Sequence, residues 1–346
     1  MKAINLRYLL LILPLSAILL SNCATSSSIT SEANSEITIA FGSCNHQWEA
    51  QPIWDQVRKN KPDAWIWLGD IIYSDTEDMK KMKADYDMQQ QQSDYANLVS
   101  ETDIYGIWDD HDYGINNGGK EFPKKDSSKM LLFDFLNLDI TDSVHAHQGA
   151  YQSHLIKRGD LDVKIILLDV RYFRDTPSVS NASILGSKQW QWLVNEFQQN
   201  NADVHIIGSG TQVLPEEHKY EKWANFGSDR MRLLQILDLM KVNNPILLSG
   251  DRHIAEMSLV GLPQSGDPLL EITSSGLTHS YDSFTSEINK HRVQEVYPKK
   301  NFGILKIKKD GEYLDYTAEI LSENNKKVLS IKSFELLDII KKKAKK

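Results

Sequence analysis

Residues 104–117 constrain this chain more than any other segment. They read Ile-Tyr-Gly-Ile-Trp-Asp-Asp-His-Asp-Tyr-Gly-Ile-Asn-Asn, so a short apolar run ends in Asp109, Asp110, His111 and Asp112. A strand that ends in such a cluster places the polar side chains at one edge of a sheet, where α/β folds bind ligands. Three carboxylates and an imidazole lose solvation and repel one another when partly buried, and a cation offsets that cost. A solvated acidic turn is the alternative for this segment taken alone.

The same design, an apolar strand followed by a polar loop, recurs elsewhere in the chain. Each loop alone is weak support, since many loops contain an aspartate or an Asp-x-His pair by chance. Together they predict a carboxylate-rich metal centre, in which the Asp-x-His pair supplies two ligands of one metal or of neighbouring metals. The strand ends concerned carry Cys44, Asp70, Asp169 with Arg171, and Asp251 with His253.

The order of strand-like and helix-like segments predicts an α/β fold in a single domain, residues 37–335. A β-branched strand at 37–41, a helix at 52–60 and an apolar strand at 64–68 have the spacing of a right-handed crossover unit. Five later segments have the pattern of antiparallel strands and indicate a second sheet packed on the first. A basic tail follows at residues 336–346, either solvated or resting on anionic lipid headgroups. The five later segments are 257–260, 269–273, 303–308, 314–321 and 327–334.

Residues 1–22 have the pattern of a signal peptide, with Lys2 and Arg7 ahead of a short apolar run. The run ends in Leu-Ser-Asn-Cys, which resembles the lipobox of bacterial lipoproteins, whose cysteine, here Cys23, is acylated. We therefore expect an exported protein that is lipid-anchored to the cell envelope through Cys23, on the periplasmic side or at the outer surface. The polar stretch 23–36 is expected to be a disordered tether. An ordinary signal peptide and an uncleaved signal anchor are the alternatives.

Composition narrows what stabilises the domain and what it binds. The chain is 41% hydrophobic and 25% charged, as in a globular protein, and its net charge of −8 argues against nucleic acid as a partner. Beyond Cys23 the only cysteine is Cys44, so no internal disulfide can stabilise the domain. Cys44 is either a small buried apolar residue or a metal ligand, and its thiolate suits a softer or redox-active metal such as iron.

Five segments share both their motifs and their order with a known family. They are Phe-Gly-Ser-Cys at 41–44, Leu-Gly-Asp-Ile-Ile-Tyr at 68–73, Trp-Asp-Asp-His-Asp-Tyr-Gly-Ile-Asn at 108–116, Leu-Asp-Val-Arg at 168–171 and Ser-Gly-Asp-Arg-His at 249–253. The chain resembles the alkaline phosphatase D (PhoD-like) family of calcineurin-like metallophosphatases, as a lipoprotein member. The resemblance implies the calcineurin-like metallophosphatase fold, with two facing mixed β-sheets flanked by helices and a metal site at the strand ends.

The resemblance also implies a ligand set and two kinds of metal. Cys44 corresponds to the cysteine that binds Fe3+, and Asp70 corresponds to an aspartate shared between metal sites. Asn116, Asp251 and His253 correspond to residues that bind Ca2+, with other divalent metals as the alternative.

The family further takes a tyrosine as a metal ligand. We place it on the helix between the second and third motifs, where Tyr86 is the better match and Tyr95 is the alternative.

Three residues are expected to act in catalysis: His111, Arg171 and Asp110. The metals would bind the phosphoryl oxygens and activate a hydroxide that attacks phosphorus in line with the leaving group. Arg171 is expected to hold a non-bridging oxygen, the alternative being a salt bridge with Asp169 or Asp175. His111 would protonate the leaving oxygen or position phosphate, or else orient Asp110 or a metal ligand.

The expected function is metal-dependent hydrolysis of phosphoric monoesters or diesters. On that view Asp109, Asp110 and Asp112 support the metal ligands and do not bind metal themselves. The alternative is a non-catalytic surface lipoprotein that keeps the same fold as a binding module. A serine hydrolase is disfavoured, because neither Ser43 nor Ser209 lies in a nucleophile elbow.

Overall fold

The computed structural model describes residues 35–199 and 202–345. The predicted signal peptide, the lipidated Cys23 and the tether up to residue 34 lie outside these residues. Among the helices of the described part, none is both long enough and apolar enough to cross a membrane. The strands are β1 (Ser35–Gly42), β2 (Ala64–Leu68), β3 (Asp103–Ile107), β4 (Gln152–Arg158), β5 (Leu161–Leu168), β6 (Val204–Ser209), β7 (Pro245–Ser249), β8 (Ala255–Gly261), β9 (Pro268–Ser274), β10 (Asn301–Asp310), β11 (Tyr313–Ser322) and β12 (Lys327–Lys332).

The strands form two six-stranded mixed sheets. The first sheet has the order β12-β11-β10-β1-β2-β3, and the second has the order β4-β5-β6-β7-β9-β8. In the first sheet β1, β2 and β3 are parallel, while β10, β11 and β12 are antiparallel to their neighbours. In the second sheet β5, β6, β7 and β9 are parallel, and β4 and β8 close the two edges in the antiparallel sense. The predicted fold, two mixed sheets flanked by helices, is confirmed.

Helices connect the parallel strands and cover the sheets, as crossover connections require. The strand β2 is buried along its whole length because both of its faces are covered, which matches its unbroken apolar sequence Ala-Trp-Ile-Trp-Leu. The helices are α1 (Ile53–Arg58), α2 (Met79–Gln90), α3 (Ser93–Val99), α4 (Asp110–Tyr113), α5 (Lys125–Phe135), α6 (Gly186–Gln198), α7 (Gly227–Leu239) and α8 (Leu336–Lys343).

Two apolar layers hold the fold together. The larger one takes side chains from both sheets, among them Ile39 of β1 and Ile206 of β6, and therefore lies between them. The smaller one packs the outer face of the second sheet against α6 and α7, with Trp190 and Leu233 buried in it. This arrangement fixes the carboxyl ends of the parallel strands of both sheets relative to one another.

The late strands and the tail differ from the sequence-based expectation. The prediction that the late strands form the second sheet is wrong, because β10, β11 and β12 complete the first sheet beside β1. Only β8 and β9 join the second sheet, and β9 lies parallel to β7. The predicted basic tail contains a helix, α8, which begins with the buried Leu336 and ends in Lys341, Lys342 and Lys343.

Candidate metal centre

The loops that follow the parallel strands converge at one edge of both sheets. The backbone N–H of Asn45, after β1, donates to the carbonyl of Asp70, after β2 (2.9 Å). The indole N–H of Trp108, after β3, donates to Asp169, after β5 (2.8 Å). Gly69 has φ +87°, and a Cβ there would lie 2.3 Å from the Cβ of Asp109, so the loops after β2 and β3 touch only because residue 69 is glycine.

Three groups of side chains in these loops place their ligand atoms within 4.8 Å of one another. The first, which we call the thiolate cluster, consists of Cys44, Asp70 and His253. The second, the carboxylate cluster, consists of Asp109, Asp110 and Asp251. The third group joins them, because it combines Asp70 of the thiolate cluster with Asp110 of the carboxylate cluster and with His111. Four of the six predicted ligands, Cys44, Asp70, Asp251 and His253, thus belong to these groups, and Asp251 and His253 fall into different clusters.

Four of these residues have a strained backbone. Cys44, Asp70, Asp251 and His253 have φ values of 62°, 51°, 66° and 55°, in the left-handed region that disfavours residues with a side chain. Such conformations cost roughly 1–3 kcal/mol each and persist where the surrounding structure holds them, which happens most often at functional sites. The strain therefore marks the same residues as the strand-end pattern.

The thiolate cluster is fully buried around sulfur. The Cys44 thiol donates to the Asp70 carboxylate over 3.2 Å, and its sulfur lies 3.0 Å from the Ser275 hydroxyl. Burial raises the pKa of Cys44 to about 11 and raises the pKa of Asp70 well above its ordinary value. The Ser275 hydroxyl accepts from the backbone N–H of His253 over 2.7 Å, so its own hydrogen is available to sulfur. Without a cation, burial and the proximity of the two groups therefore disfavour their anionic forms.

The carboxylate cluster has oxygens that lack partners. Burial raises the pKa of Asp109 to about 7 and raises the pKa of Asp251 well above its ordinary value. Burial also acts on Asp110, but the guanidinium of Arg171 and the ring of His111 outweigh it and lower the pKa of that carboxyl. The atom Asp109 Oδ2 of this cluster, like Asp70 Oδ1 of the thiolate cluster, is buried and accepts no hydrogen bond within the described residues.

These side chains fit metal ions. A buried carboxylate oxygen without a hydrogen-bond donor is costly unless a cation takes that place. The thiolate cluster offers sulfur, nitrogen and oxygen, a set that softer transition metals prefer, whereas the carboxylate cluster offers only the oxygens that hard cations prefer. The two clusters are therefore suited to unlike ions placed side by side.

A tyrosine contributes to the thiolate cluster, and it is Tyr73. Its hydroxyl donates to Asp70 over 3.1 Å and lies 3.1 Å from His253 Nε2. The predicted Tyr86 is instead buried on α2 against Phe135, and its hydroxyl has no hydrogen-bond partner in the described structure. The expectation for Tyr86 is corrected, because α2 turns this side chain into the apolar core. The signal for Tyr73 was present, three residues after Asp70 in the same motif.

Tyr95, the alternative, does not contact the thiolate cluster either. Tyr95 lies on α3 and packs against Phe135, and its hydroxyl accepts a hydrogen bond from the indole N–H of Trp67 over 3.0 Å.

Arg171 does not face the cavity as an open phosphate ligand. It is fully buried, its Nε donates to Asp109 over 2.7 Å, and its Nη1 donates to Glu221 over 2.6 Å. Neither of the expected partners, Asp169 and Asp175, takes its guanidinium. Arg171 therefore holds Asp109 in place, while its Nη2 has no hydrogen-bond partner within the described residues, and its direct contact with a phosphoryl oxygen stays a prediction.

His111 lies on the wall of the cavity beside the clusters. Its Nδ1 is 2.7 Å from an oxygen of Asp75, and its ring lies 4.1 Å from that of Tyr73. Burial lowers the pKa of His111, but the hydrogen bond to Asp75 and the charges of Asp70 and Asp110 outweigh it and raise the pKa to about 10. An imidazolium on this wall can donate a proton or hold an anion.

The remaining predicted residues are divided between the cavity and its support. Asn116 is exposed and lines the cavity that also contains Asp110 and Asp251. Asp112 accepts from the backbone N–H groups of Asp109 (2.7 Å) and Ile71 (3.1 Å), and so joins two loops. The expectation that Asp112 supports the ligands agrees with these contacts, whereas Asp109 and Asp110 themselves belong to the carboxylate cluster.

A cavity of about 560 Å³ opens onto the carboxylate cluster and His253. Its volume is in the range that accommodates a small organic ligand. It is also lined by four residues that belong to neither cluster: Lys219, Tyr220, Arg252 and Tyr281. Arg252 lies in the strand-end motif at 249–253 but was assigned no role, and the other three residues lie in loops without a strand-end pattern.

Comparisons with known proteins agree with this arrangement. A family model described as PhoD-like phosphatase matches residues 140–324, more than half of the chain, including Arg171, Asp251 and His253. Alkaline phosphatase D of Bacillus subtilis (strain 168) is 22% identical over 270 residues, which cover 63% of this chain and 46% of that protein. The chain thus spans about half the length of this curated relative.

The fold has a solved counterpart. A structure described as "Structure of PhoD" matches with a TM-score of 0.68 at 18% sequence identity, covering 83% of this chain and 66% of that chain. At this level of identity the likeness shows the fold.

Proposed function

This chain belongs to the PhoD-like phosphatase family, and from that premise we propose that it hydrolyses phosphoric esters at the metal centre described above. The observation that carries the proposal is the convergence of the thiolate and carboxylate clusters, joined by Asp70 and Asp110, at the mouth of a cavity. A binding module would not need buried carboxylate oxygens that lack partners, such as Asp70 Oδ1 and Asp109 Oδ2.

We further propose that the two clusters bind different metals. Cys44, Asp70, His253 and Tyr73 would hold Fe3+, because thiolate and phenolate are ligands suited to ferric iron. The carboxylate cluster, with the amide of Asn116 beside it, would hold Ca2+, which prefers oxygen ligands. The support for this assignment is the chemistry of the two ligand sets.

The residues of the chain have distinct parts in the reaction. When bound, the metal ions supply charge for the phosphoryl oxygens and acidify a water that becomes the nucleophile. His111 donates a proton to the leaving oxygen, since Asp75 occupies its Nδ1 and leaves Nε2 for the substrate. Tyr73 holds Asp70 and His253 in one geometry. Arg171 keeps Asp109 oriented and charged.

The test is hydrolysis of p-nitrophenyl phosphate and of bis(p-nitrophenyl) phosphate by the purified protein, with and without a chelator. Turnover of either ester that the chelator removes and added metals restore would support the proposal. Their ratio would distinguish a monoesterase from a diesterase. No turnover of either ester, together with no bound metal, would favour the binding module.

We also propose that the protein acts at the cell envelope, anchored through a lipid on Cys23. The support is the lipobox-like sequence before that residue. Replacing Cys23 with Ser should move the protein from the membrane fraction to the soluble exported fraction, and unchanged membrane association would contradict the anchor.

A further inference from the structure

Four residues that line the cavity but belong to neither cluster form a surface with positive charge. We call it the cationic wall; it consists of Lys219, Tyr220, Arg252 and Tyr281. Three loops supply it: the segment between β6 and α7, the loop after β7, and the segment after β9. Charge of this sign stands out in a chain whose net charge is −8.

The two cations of this wall flank one aromatic ring. The Nζ of Lys219 lies 5.3 Å from the centre of the Tyr220 ring, and the Cζ of Arg252 lies 4.3 Å from it. Contacts of a cation with a ring face at such distances are attractive. The ring of Tyr220 therefore fixes the distance between the two charges.

The segment that carries Lys219 and Tyr220 is firmly held. The buried ammonium of Lys222 donates to the carbonyl of Tyr220 (3.2 Å) and to the side chain of Asn225 (3.0 Å). The indole N–H of Trp223 donates to the hydroxyl of Ser209 at the end of β6 (3.0 Å). Because buried donors hold it at several points, the cationic wall is a formed surface and not a loose loop.

The adjoining part of the wall is attached to the metal centre. The backbone N–H of Tyr281 donates to the carbonyl of His253, a member of the thiolate cluster, over 2.7 Å. Arg252 lies in the chain between Asp251 and His253. The wall and the metal centre therefore keep a fixed separation.

The positive charge of the wall is only partly matched. Arg252 is 4% exposed, and its Nη2 donates to both oxygens of Glu287 (2.7 and 2.9 Å), but its Nε is buried without a partner. Lys219 is exposed and forms no ion pair with the residues that the structure describes. The carboxylate of Glu221, which also lines the cavity, is engaged by Arg171 and Arg174. In proteins, phosphate groups commonly accept hydrogen bonds from guanidinium and ammonium groups such as these.

We propose that the cationic wall binds a second phosphate group of the substrate, while the metal centre acts on the first. The preferred substrates would then carry two phosphate groups joined by a short organic linker. This inference rests on the proposed function, because it takes the metal centre as the place of hydrolysis. It concerns the part of the substrate beyond the phosphoryl group that reacts.

The first test compares alkyl monophosphates with alkanediol bisphosphates that have linkers of two to six carbons. We expect at least one bisphosphate to have a higher kcat/KM than the monophosphate of the same chain length. The variant Lys219→Ala should lower the ratio of these two values about tenfold, as the loss of one charge-assisted contact does. Lys219→Glu should lower the ratio of bisphosphate to monophosphate kcat/KM further, and Lys219→Arg should retain most of this ratio.

The matched control is Lys80→Ala, because Lys80 is an exposed lysine on α2 that does not line the cavity. This variant should leave the ratio at its original value. A ratio near one for every linker length, or an equal ratio in Lys219→Ala and the unaltered protein, would overturn the proposal.

The second test measures binding without turnover. Calorimetry of the metal-loaded protein should give a lower Kd for an alkane diphosphonate than for the alkylphosphonate of equal length, and Lys219→Glu should remove the difference. Equal Kd values would overturn the second-phosphate site even if the protein hydrolyses esters. Tighter diphosphonate binding without hydrolysis of any ester would support the site while contradicting the proposed function.

Discussion

The thiolate cluster and the carboxylate cluster lie side by side but differ in what surrounds them. Around Cys44 and Asp70 the neighbours are hydroxyl groups, those of Ser275 and Tyr73, which can shift protons toward or away from the ligands. Around Asp109 the neighbour is a buried guanidinium, that of Arg171, which is always charged. The first cluster is therefore tuned by hydrogen bonds and the second by a fixed charge.

Asp70 and Asp110 link these two unlike clusters. Asp70 belongs to the thiolate cluster, Asp110 belongs to the carboxylate cluster, and both belong to the group that contains His111. Removing the carboxylate of Asp70 should therefore affect both clusters.

The largest effect is expected from Asp70→Asn. Because this change removes the shared ligand, kcat/KM should fall on the order of 10³-fold. The metal-free protein should keep its Tm or gain in Tm, since the change removes a buried carboxylate whose pKa is raised well above its ordinary value. Ester hydrolysis and thermal unfolding, measured on the same samples, check this. Turnover near that of the unaltered protein would contradict the assigned centre.

The second prediction compares the metal content of two variants, one in the thiolate cluster and one in the carboxylate cluster. Cys44→Ser should remove iron, and with it the visible thiolate-to-iron absorption band, while calcium stays bound. Asp251→Asn should remove calcium and leave the band in place. Elemental analysis and absorption spectra check both variants. Loss of both metals in each variant would show that the clusters do not load separately.

A third prediction tests how much the buried charge of Arg171 contributes to the stability of the protein. Arg171→Met should lower the free energy of unfolding by about 3–5 kcal/mol, because it leaves Asp109 buried without its partner and leaves Glu221 with Arg174 alone. The control is Arg158→Met, whose half-exposed pair with Asp63 should contribute less than about 1 kcal/mol. Denaturant unfolding measures both. Equal losses would mean that Arg171 is not the centre of a buried ion-pair network.

A fourth prediction compares two tyrosines. Tyr73→Phe removes a hydroxyl that contacts Asp70 and His253, so activity should fall about tenfold. Tyr86→Phe removes a buried hydroxyl without a partner, so activity should change by no more than about twofold. This variant should not lower the stability of the protein. Kinetics and thermal unfolding check the pair. The reverse order of effects would restore Tyr86 as the ligand.

The smallest effect concerns pH. Burial raises the pKa of Asp109 and of Asp112 from 3.8 to about 7, so the folded metal-free chain binds more protons than the unfolded chain between these values. The stability that these groups contribute is full below the unfolded pKa and is lost as the pH rises through about 7. The Tm of the chelated protein should therefore fall as the pH rises from about 4 to about 7. With metals bound, the fall in Tm over this pH range should be smaller. An equal fall in the chelated and the metal-loaded protein would contradict the assignment of these carboxylates to cation sites.

The strand-end pattern was sufficient to find most of the centre. Cys44, Asp70, Asp251 and His253 each follow an apolar strand directly, and parallel strands of a sheet end at a common edge, so local sequence determines where these side chains meet. The strained φ values at the same four positions are a consequence that only the structure reveals.

The parts that sequence missed depend on distant contacts. Arg171 meets Glu221, fifty residues away, because the segment between β6 and α7 folds over it, and no local pattern encodes that contact. Tyr86 has the residue type expected of a ligand, but the side of α2 that faces the core decides its role. The strand β10 pairs with β1, and β11 and β12 follow it outward, because their apolar faces complete the first sheet, a choice that alternation alone leaves open.

The most direct measurement of the central claim, two unlike metal sites acting as one centre, is restoration of the chelated protein. Hydrolysis of p-nitrophenyl phosphate and of bis(p-nitrophenyl) phosphate should be measured after adding Fe3+ alone, Ca2+ alone, and both together. The account predicts that only the two metals together restore full turnover of the preferred ester. Full turnover with either metal alone, or turnover that survives chelation, would contradict it.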